Sequence, residues 1–284
     1  MTGLYHSKDI NDINPTERVE IELLLEGLNK LYGYDFRDYV FSSIRRRIWY
    51  RIRAEGLKTV SGLQEKIFYD SACLNRLLTD FSIQVTEMFR DPDFFIAFRQ
   101  KVIPVLRELP QIRIWHAGCS TGQEVYSMVI LFHEEGLDHK TIYYATDFNS
   151  EALEKSKRGL YHLKDMKLYT QNYLQAGGKN SFSKYYTVVG ENAVLHNFLK
   201  KNIVFAQHNL VTDGSINEFN VIFCRNVMIY FNKNLQNRVH ELFFNSLGPH
   251  SFLALGKKET ISYMNYANSY NVIDSEQKIY QKRS

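Results

Sequence analysis

The chain has 284 residues, 44% hydrophobic, 14% aromatic and 23% charged, with 19 Tyr and 19 Phe. That is more large apolar surface than a disordered chain carries, while no window approaches the ~20 apolar residues of a membrane span. The net charge of +4 is local: residues 37–53 hold six Arg and one Asp, so the remainder sums to about −1.

From Asn14 to about Asp80 the sequence reads as successive amphipathic helices. Pro15-Thr16-Glu17 suits a helix start, and Ile21, Leu24, Leu25, Leu28 and Leu31 recur at helical spacing. In the basic stretch, Val40, Ile44, Ile48 and Ile52 repeat every four residues and form one apolar stripe. A helical wheel then turns Arg46 and Arg53 away from the stripe, with Arg45 and Arg47 on its flanks. Such a face can be merely solvated, can bind phosphates and bases with Trp49 and Tyr50, or can dock an acidic protein helix. One basic helix on an otherwise neutral chain is thin for a nucleic-acid binder, so no nucleic acid is expected. Between these helices and the strand-rich remainder of the chain lies Gln84-Val-Thr-Glu-Met-Phe-Arg90-Asp-Pro. On a helical turn Thr86 and Arg90 would share a face, and Asp91 or Asp93 offers Arg90 an ion-pair partner.

After Pro104 and Pro110 the texture changes to strands alternating with helices. Ile112–Ala117 reads as a strand, Gly118-Cys-Ser-Thr-Gly122 as a turn, and Val125, Met128, Val129 and Phe132 as a helix face. Ile142–Thr146 is a second strand ending at Asp147, with a helix from about Ser150. Phe219–Cys224 is a buried-type strand, Lys233–Leu247 a helix and His250–Gly256 a strand. This alternation predicts an α/β fold with a mostly parallel sheet covered on both faces. Tyr270–Asp274 and Lys278–Lys282 lie too close together for a crossover helix and should form an antiparallel hairpin at the sheet edge. Between Gly177 and Gln207, with strand-like Tyr185–Val189 and Val194–Phe198, a small antiparallel insertion is expected. Met1 to Asn14 contain no apolar stretch of a secretory leader. Cys73, Cys119 and Cys224 are widely spaced without a CxxC pair, so neither a disulfide framework nor a metal site is expected and a cytoplasmic setting is.

Candidate chemistry gathers where strands end. A glycine turn at Gly118 lets a ligand approach the backbone, and an acid after the second strand, Asp147, can take two ribose hydroxyls. The acid falls 29 residues after Gly118, against the usual ~20 in dinucleotide binders, and the turn lacks a third glycine. An adenosine-type ligand without a diphosphate fits better, S-adenosylmethionine among them. The alternative is a plain strand–helix turn with a solvated Asp. Glu124, in the following helix's first turn, either compensates the dipole or faces a cation. Arg225 and Asn226 end a strongly apolar run and need partners, which a ligand or the loop itself could provide. Tyr230 follows near the same rim.

These residues carry a family resemblance. Val85-Thr-Glu-Met-Phe-Arg90, Ser120-Thr-Gly-Gln-Glu-Val-Tyr-Ser127, Ala145-Thr-Asp-Phe-Asn149 and Cys224-Arg-Asn-Val-Met-Ile-Tyr-Phe231 resemble, in order, the chemotaxis receptor glutamate methyltransferases (CheR). The resemblance runs from about Asn11 to Lys282. It implies a class I, Rossmann-like methyltransferase sheet with a helical N-terminal domain and an inserted antiparallel β-subdomain. The implied limits are 10–82 for the helical domain with its basic helix, 83–100 for a linker and active-site segment, and 101–284 for the methyltransferase domain, interrupted by the insertion at about 178–207. Implied cofactor contacts are Gln84, Thr86, Arg90, Gly118, Glu124, Asp147, Asn209, Leu210, Arg225 and Asn226. Arg90 and Tyr230 are implied near the substrate carboxylate and the methyl group, and Arg45, Arg46, Arg47 and Arg53 are implied to meet acidic receptor helices. The sequence departs from the family pattern at Gln84, at Gln123 and Val125 around Glu124, and at Gly256-Lys-Lys-Glu259, where Gly-His-Ser-Glu is common.

The activity implied is methyl transfer from S-adenosylmethionine to glutamate carboxylates of chemoreceptor cytoplasmic domains. Glutamate has an ordinary pKa of about 4.3 and is already ionised at neutral pH, so no general base is required and positioning carries the catalysis. Related proteins use the β-subdomain to tether to a receptor tail, which makes a peptide partner conceivable there. Competing readings are a methyltransferase for another protein or RNA, and a cofactor-binding scaffold without turnover.

Overall fold

The computed structural model describes residues 14–82 and 86–283. The chain divides into two compact units, one comprising the residues up to 83 with Tyr230–Leu235, the other Gln84–Ile229 with Gln236–Ser284.

The first unit is helical: α1 Pro15–Tyr32, α2 Phe41–Ala54, α3 Val60–Tyr69 and α4 Ser71–Phe81. Asn14 caps α1 by accepting from the Thr16 amide at 3.0 Å, with Pro15 at its first position. Asp70 caps α4 through the amides of Ala72 and Cys73. Of the apolar stripes read from the sequence, Ile21, Leu24, Leu25, Leu28, Ile44, Ile48 and Ile52 are buried, while Leu31 and Val40 at their ends are exposed. The short run Tyr230–Asn232 lies along Asp38–Val40: the Val40 amide donates to the Tyr230 carbonyl at 2.8 Å and the Asn232 amide to the Asp38 carbonyl at 2.8 Å.

The second unit begins with α5 Pro92–Lys101 and α6 Ile103–Arg107, then runs β1 Ile112–Ala117, α7 Gln123–Glu134, β2 Thr141–Asp147, α8 Ser150–Arg158, β3 Leu160–His162 and α9 Met166–Gln175. It continues through β4 Tyr186–Val189, β5 Asn192–Leu195, β6 Ile203–Gln207, β7 Phe219–Cys224, α10 Lys233–Ser246, β8 Leu247–Leu255, β9 Tyr270–Asp274 and β10 Ile279–Lys282. Seven strands form one sheet in the order β6-β2-β1-β7-β8-β10-β9, and β3-β5-β4 form a separate small one. β1, β2, β6, β7 and β8 pair in parallel, while β10 pairs antiparallel to both β8 and β9. The parallel core, the terminal hairpin and the antiparallel insertion are thus present, and the fold is the class I methyltransferase sheet that the resemblance implies.

Two boundaries differ from expectation. Ile203–Gln207 is not part of the insertion: it pairs in parallel with β2, Asp147 opposite Gln207, whereas the small sheet takes in Leu160–His162 from before α9. β6 is an edge strand with Val204, Ala206 and Gln207 exposed, so its sequence lacks the apolar run that marks the buried strands. Residues 92–100 are not a linker either, because Phe94, Phe95 and Phe98 of α5 are buried in the sheet unit's core with Phe132 and Phe223.

Candidate active site

The sheet brings the carboxyl ends of β1, β2, β6 and β7 side by side, where open α/β sheets bind ligands. Leaving β1, the chain turns through Gly118 (φ 78°), Ser120 (φ 50°) and Gly122 (φ 89°). Both glycines are demanded by close packing: a Cβ on Gly118 would stand 2.7 Å from Val227 Cγ2, and one on Gly122 would stand 2.0 Å from Ser156 Oγ. The turn is tied to β2 by Asp147, 6% exposed, whose Oδ2 accepts from the Ser120 amide at 2.8 Å and Oδ1 from the Asn149 amide at 2.9 Å. Burial raises the Asp147 carboxyl above its ordinary value, with the amides of Asn149 and Ser120 pulling the other way. Past the end of β6, the His208 amide donates to the Asp147 carbonyl, which sets Asn209 and buried Leu210 on the same rim.

At the end of β7 stands Arg225, its side chain 2% exposed. Nη1 donates to Glu124 Oε2 at 2.9 Å and Nη2 to Asp91 Oδ2 at 2.8 Å, while the guanidinium lies 4.0 Å from the centroid of Phe94. Arg225 therefore joins two carboxylates, and its Nε is buried without a hydrogen-bond partner. Glu124 Oε1 also faces His116 Nδ1 at 3.4 Å. Burial would raise the Glu124 carboxyl, but His116 and Arg225 together hold it below its ordinary value. Asp91, Glu124 and Arg225 sum to one negative charge at the strand ends.

The stretch carrying Thr86 and Arg90 is a turn, with Phe89 (φ 53°) and Asp91 (φ 58°) left-handed, so the two residues do not share a helical face. It is anchored in the sheet unit: the Phe89 amide donates to Ser127 Oγ at 2.8 Å and Asn172 Nδ2 to the Met88 carbonyl at 3.0 Å. Four of the six non-glycine residues with positive φ among the described residues, Phe89, Asp91, Ser120 and Asn226, cluster around these loops, as strained backbone does at functional sites. Gln84 lies outside the described residues.

Tyr230 belongs to the helical unit, where the Arg47 guanidinium sits 4.9 Å from its ring centroid. Arg47 is 6% exposed and donates to the Phe81 carbonyl at 3.0 Å. It is therefore not on the outer face of α2, and burial pulls its guanidinium below its ordinary range. Arg45 is engaged by Glu17 at 2.6 and 3.0 Å. Outside the four arginines implied to meet receptors, Arg37 pairs with Asp35 and Glu26, and Arg51 with Asp80 and Glu55. The Trp49 indole N–H donates to Glu17, so the same carboxylate holds Trp49 and Arg45. Of the four arginines implied to meet receptors, Arg46 and Arg53 are exposed.

The residues present fit S-adenosylmethionine. A net negative cluster suits its cationic end, Asp147 keeps lone pairs for hydroxyls, and Ser120 Oγ, buried in the turn between them, has no hydrogen-bond partner. His116 was not singled out by sequence, and Ser120 and Glu259 entered only within the quoted motifs. Asp91 was legible as the acid next to Arg90, and it accepts from Arg225, 134 residues away. The Lys257-Lys258 departure falls at exposed positions, while Glu259 is buried under the β7 loop.

Residues 19–82 match the model of the CheR methyltransferase all-alpha domain, and residues 84–279 that of the CheR methyltransferase SAM binding domain. The chain is 46% identical over 264 residues to a Pseudomonas putida protein that carries the methyltransferase name Cher3, covering 93% of this chain and 97% of that one. It is 31% identical to a Borreliella burgdorferi chemotaxis protein methyltransferase over 66% of this chain and 68% of the relative. For a Salmonella typhimurium chemotaxis protein methyltransferase the identity is 28%, over 80% and 77% respectively.

Proposed function

We propose the following activity for this chain, which belongs to the CheR methyltransferase family: it methylates glutamate carboxylates in the cytoplasmic helical domains of chemoreceptors, giving methyl esters. The observation that carries this reading is that both family models match, one on each side of residue 83. S-adenosylmethionine, when bound, supplies the methyl group on a good thioether leaving group. The chain's own task is to hold and orient. Asp147 and the Ser120 turn hold the ribose end, and Glu124, fixed by Arg225, faces the cationic end. Arg90 orients the substrate carboxylate and Tyr230 hydrogen-bonds near the reacting centre. Because the glutamate arrives ionised, no proton has to be removed, and preorganised geometry supplies the rate.

Exposed Arg46 and Arg53 of α2 suit an acidic receptor helix, by steering more than by tight pairing. At the edge of the small sheet, β4 exposes Val188 and Val189, which suits an added peptide strand. The cell compartment that follows from this substrate is the cytoplasm, and no helix among the described residues is long and apolar enough to cross a membrane.

The test is product chemistry. Purified protein, methyl-labelled cofactor and receptor-bearing membranes should yield label that mild base releases as methanol. Base-stable label on RNA or lysine would replace the receptor reading, and cofactor binding with no labelled product on any receptor would replace turnover by a scaffold.

A further inference from the structure

Leaving β7, the chain passes through Asn226 at φ 63°, a left-handed backbone that a non-glycine residue keeps only where its surroundings impose it. A single carboxylate imposes it. Glu259, 5% exposed, accepts through Oε2 from the amides of Asn226 at 2.9 Å and Gly256 at 2.6 Å. Through Oε1 it accepts from Val227 at 2.9 Å and Met228 at 2.8 Å. Four backbone donors converging on one anion make a nest of the kind that elsewhere holds a bound anion, and here the chain fills it with its own side chain. Gly256 completes the closure: a Cβ there would stand 2.7 Å from Asn226 Nδ2, 2.8 Å from the Asn226 amide and 2.8 Å from Glu259 Oε2.

The consequences run forward into the crevice. Val227, held by Glu259, is the residue that fills the space beside Gly118. Arg225, one residue before the clamped segment, is the guanidinium that fixes Glu124 and Asp91. We infer that Glu259 is a positioning residue for cofactor binding, a carboxylate clamp that sets the Arg225–Met228 loop against the glycine turn. It touches neither cofactor nor substrate and acts through Arg225, Asn226 and Val227. The inference rests on the strand-end crevice being the cofactor site.

Two variants approach the clamp from opposite sides. Glu259→Gln replaces one acceptor oxygen by a donor facing two N–H groups, and Gly256→Ala drives a methyl group into Asn226. In both, S-adenosylhomocysteine affinity by calorimetry should fall about tenfold, with the receptor KM at saturating cofactor unchanged. In the cofactor-free variants, amide hydrogen exchange at Val227 and Met228 should accelerate while exchange in β1 and β2 does not. Wild-type protein that binds no S-adenosylhomocysteine would defeat the reading of the crevice. Wild-type binding together with unaltered affinity in either folded variant would overturn the clamp, as would a lowered Tm with affinity unchanged. Failure of both variants to fold would also overturn it, by making Glu259 a requirement of folding.

Discussion

The guanidinium of Arg47 lies over the ring of Tyr230, 4.9 Å from its centroid, and is buried there with one terminal nitrogen, Nη2, without a hydrogen-bond partner. An arginine kept desolvated against a ring gains about 2 kcal/mol from the contact and holds that ring in one orientation. Tyr230 is the phenol proposed to act at the reacting centre, so its orientation matters more than its presence.

Arg47→Leu should therefore lower kcat/KM for receptor methylation about tenfold, while cofactor affinity stays at the wild-type value. Tyr230→Phe keeps the ring under Arg47 and removes only the hydroxyl. Steady-state kinetics on both variants separates orientation from hydrogen bonding, and equal wild-type kinetics for Arg47→Leu would contradict the arrangement.

Removing Arg225 leaves Asp91 and Glu124 without the cation that both are bonded to. Breaking a buried pair costs about 3–5 kcal/mol, so Arg225→Met should lose stability on that order in urea unfolding. Adding Glu124→Gln should recover part of the loss, because one uncompensated carboxylate is then neutral. Strict additivity of the two substitutions would show that Arg225 and Glu124 do not act as a pair.

Arg46 and Arg53 are the outward arginines of α2, so charge reversal at Arg46 should weaken receptor methylation and reduce its salt dependence, because exposed charges are screened within about 10 Å at 0.1 M salt. S-adenosylhomocysteine affinity, measured by calorimetry, should not change. A loss of receptor methylation that is independent of salt would point to misfolding.

Acid should reach the two units differently. His240 is pushed down to about 4 by burial, with both ring nitrogens lacking hydrogen-bond partners. Its folded value lies below the ordinary 6.5, so between these values the unfolded chain binds the extra proton. The stability of the sheet unit should then fall as pH drops from about 6.5 through 4, and His240→Phe should flatten that slope. Glu55 is held at about 2 by Arg76 first, then Lys66, with Arg51 also bonded to it. A lowered carboxyl stabilises above its unfolded value and loses that contribution as pH falls from about 4.5 toward 2. Glu55→Gln should remove this lower step from thermal unfolding curves of the whole protein.

Much of the sheet unit was legible because buried parallel strands announce themselves. Ile112–Ala117 and Phe219–Cys224 are near-continuous apolar runs, so the polar residues that follow them, Arg225 among these, were identifiable as strand-end groups. Asp147, which closes the second strand, was legible for the same reason. β6 was not legible, since an edge strand exposes alternate residues and reads like the insertion beside it. Phe94, Phe95 and Phe98 were readable as apolar, but nothing local says which core they enter.

Apolar periodicity along this chain determined where its helices and strands fall and which polar residues close the strands, because those are consequences of neighbours a few positions apart. Only the tertiary structure decided which charges are available. Glu17 reaches Arg45 across 28 residues, Asp80 reaches Arg51 across 29, and Glu124 reaches Arg225 across 101. A charge is written in one residue, but its desolvation and its partner are set by elements folded against it, and that buries Arg47 and Arg51, engages Arg37 and Arg45 with carboxylates and leaves Arg46 and Arg53 exposed.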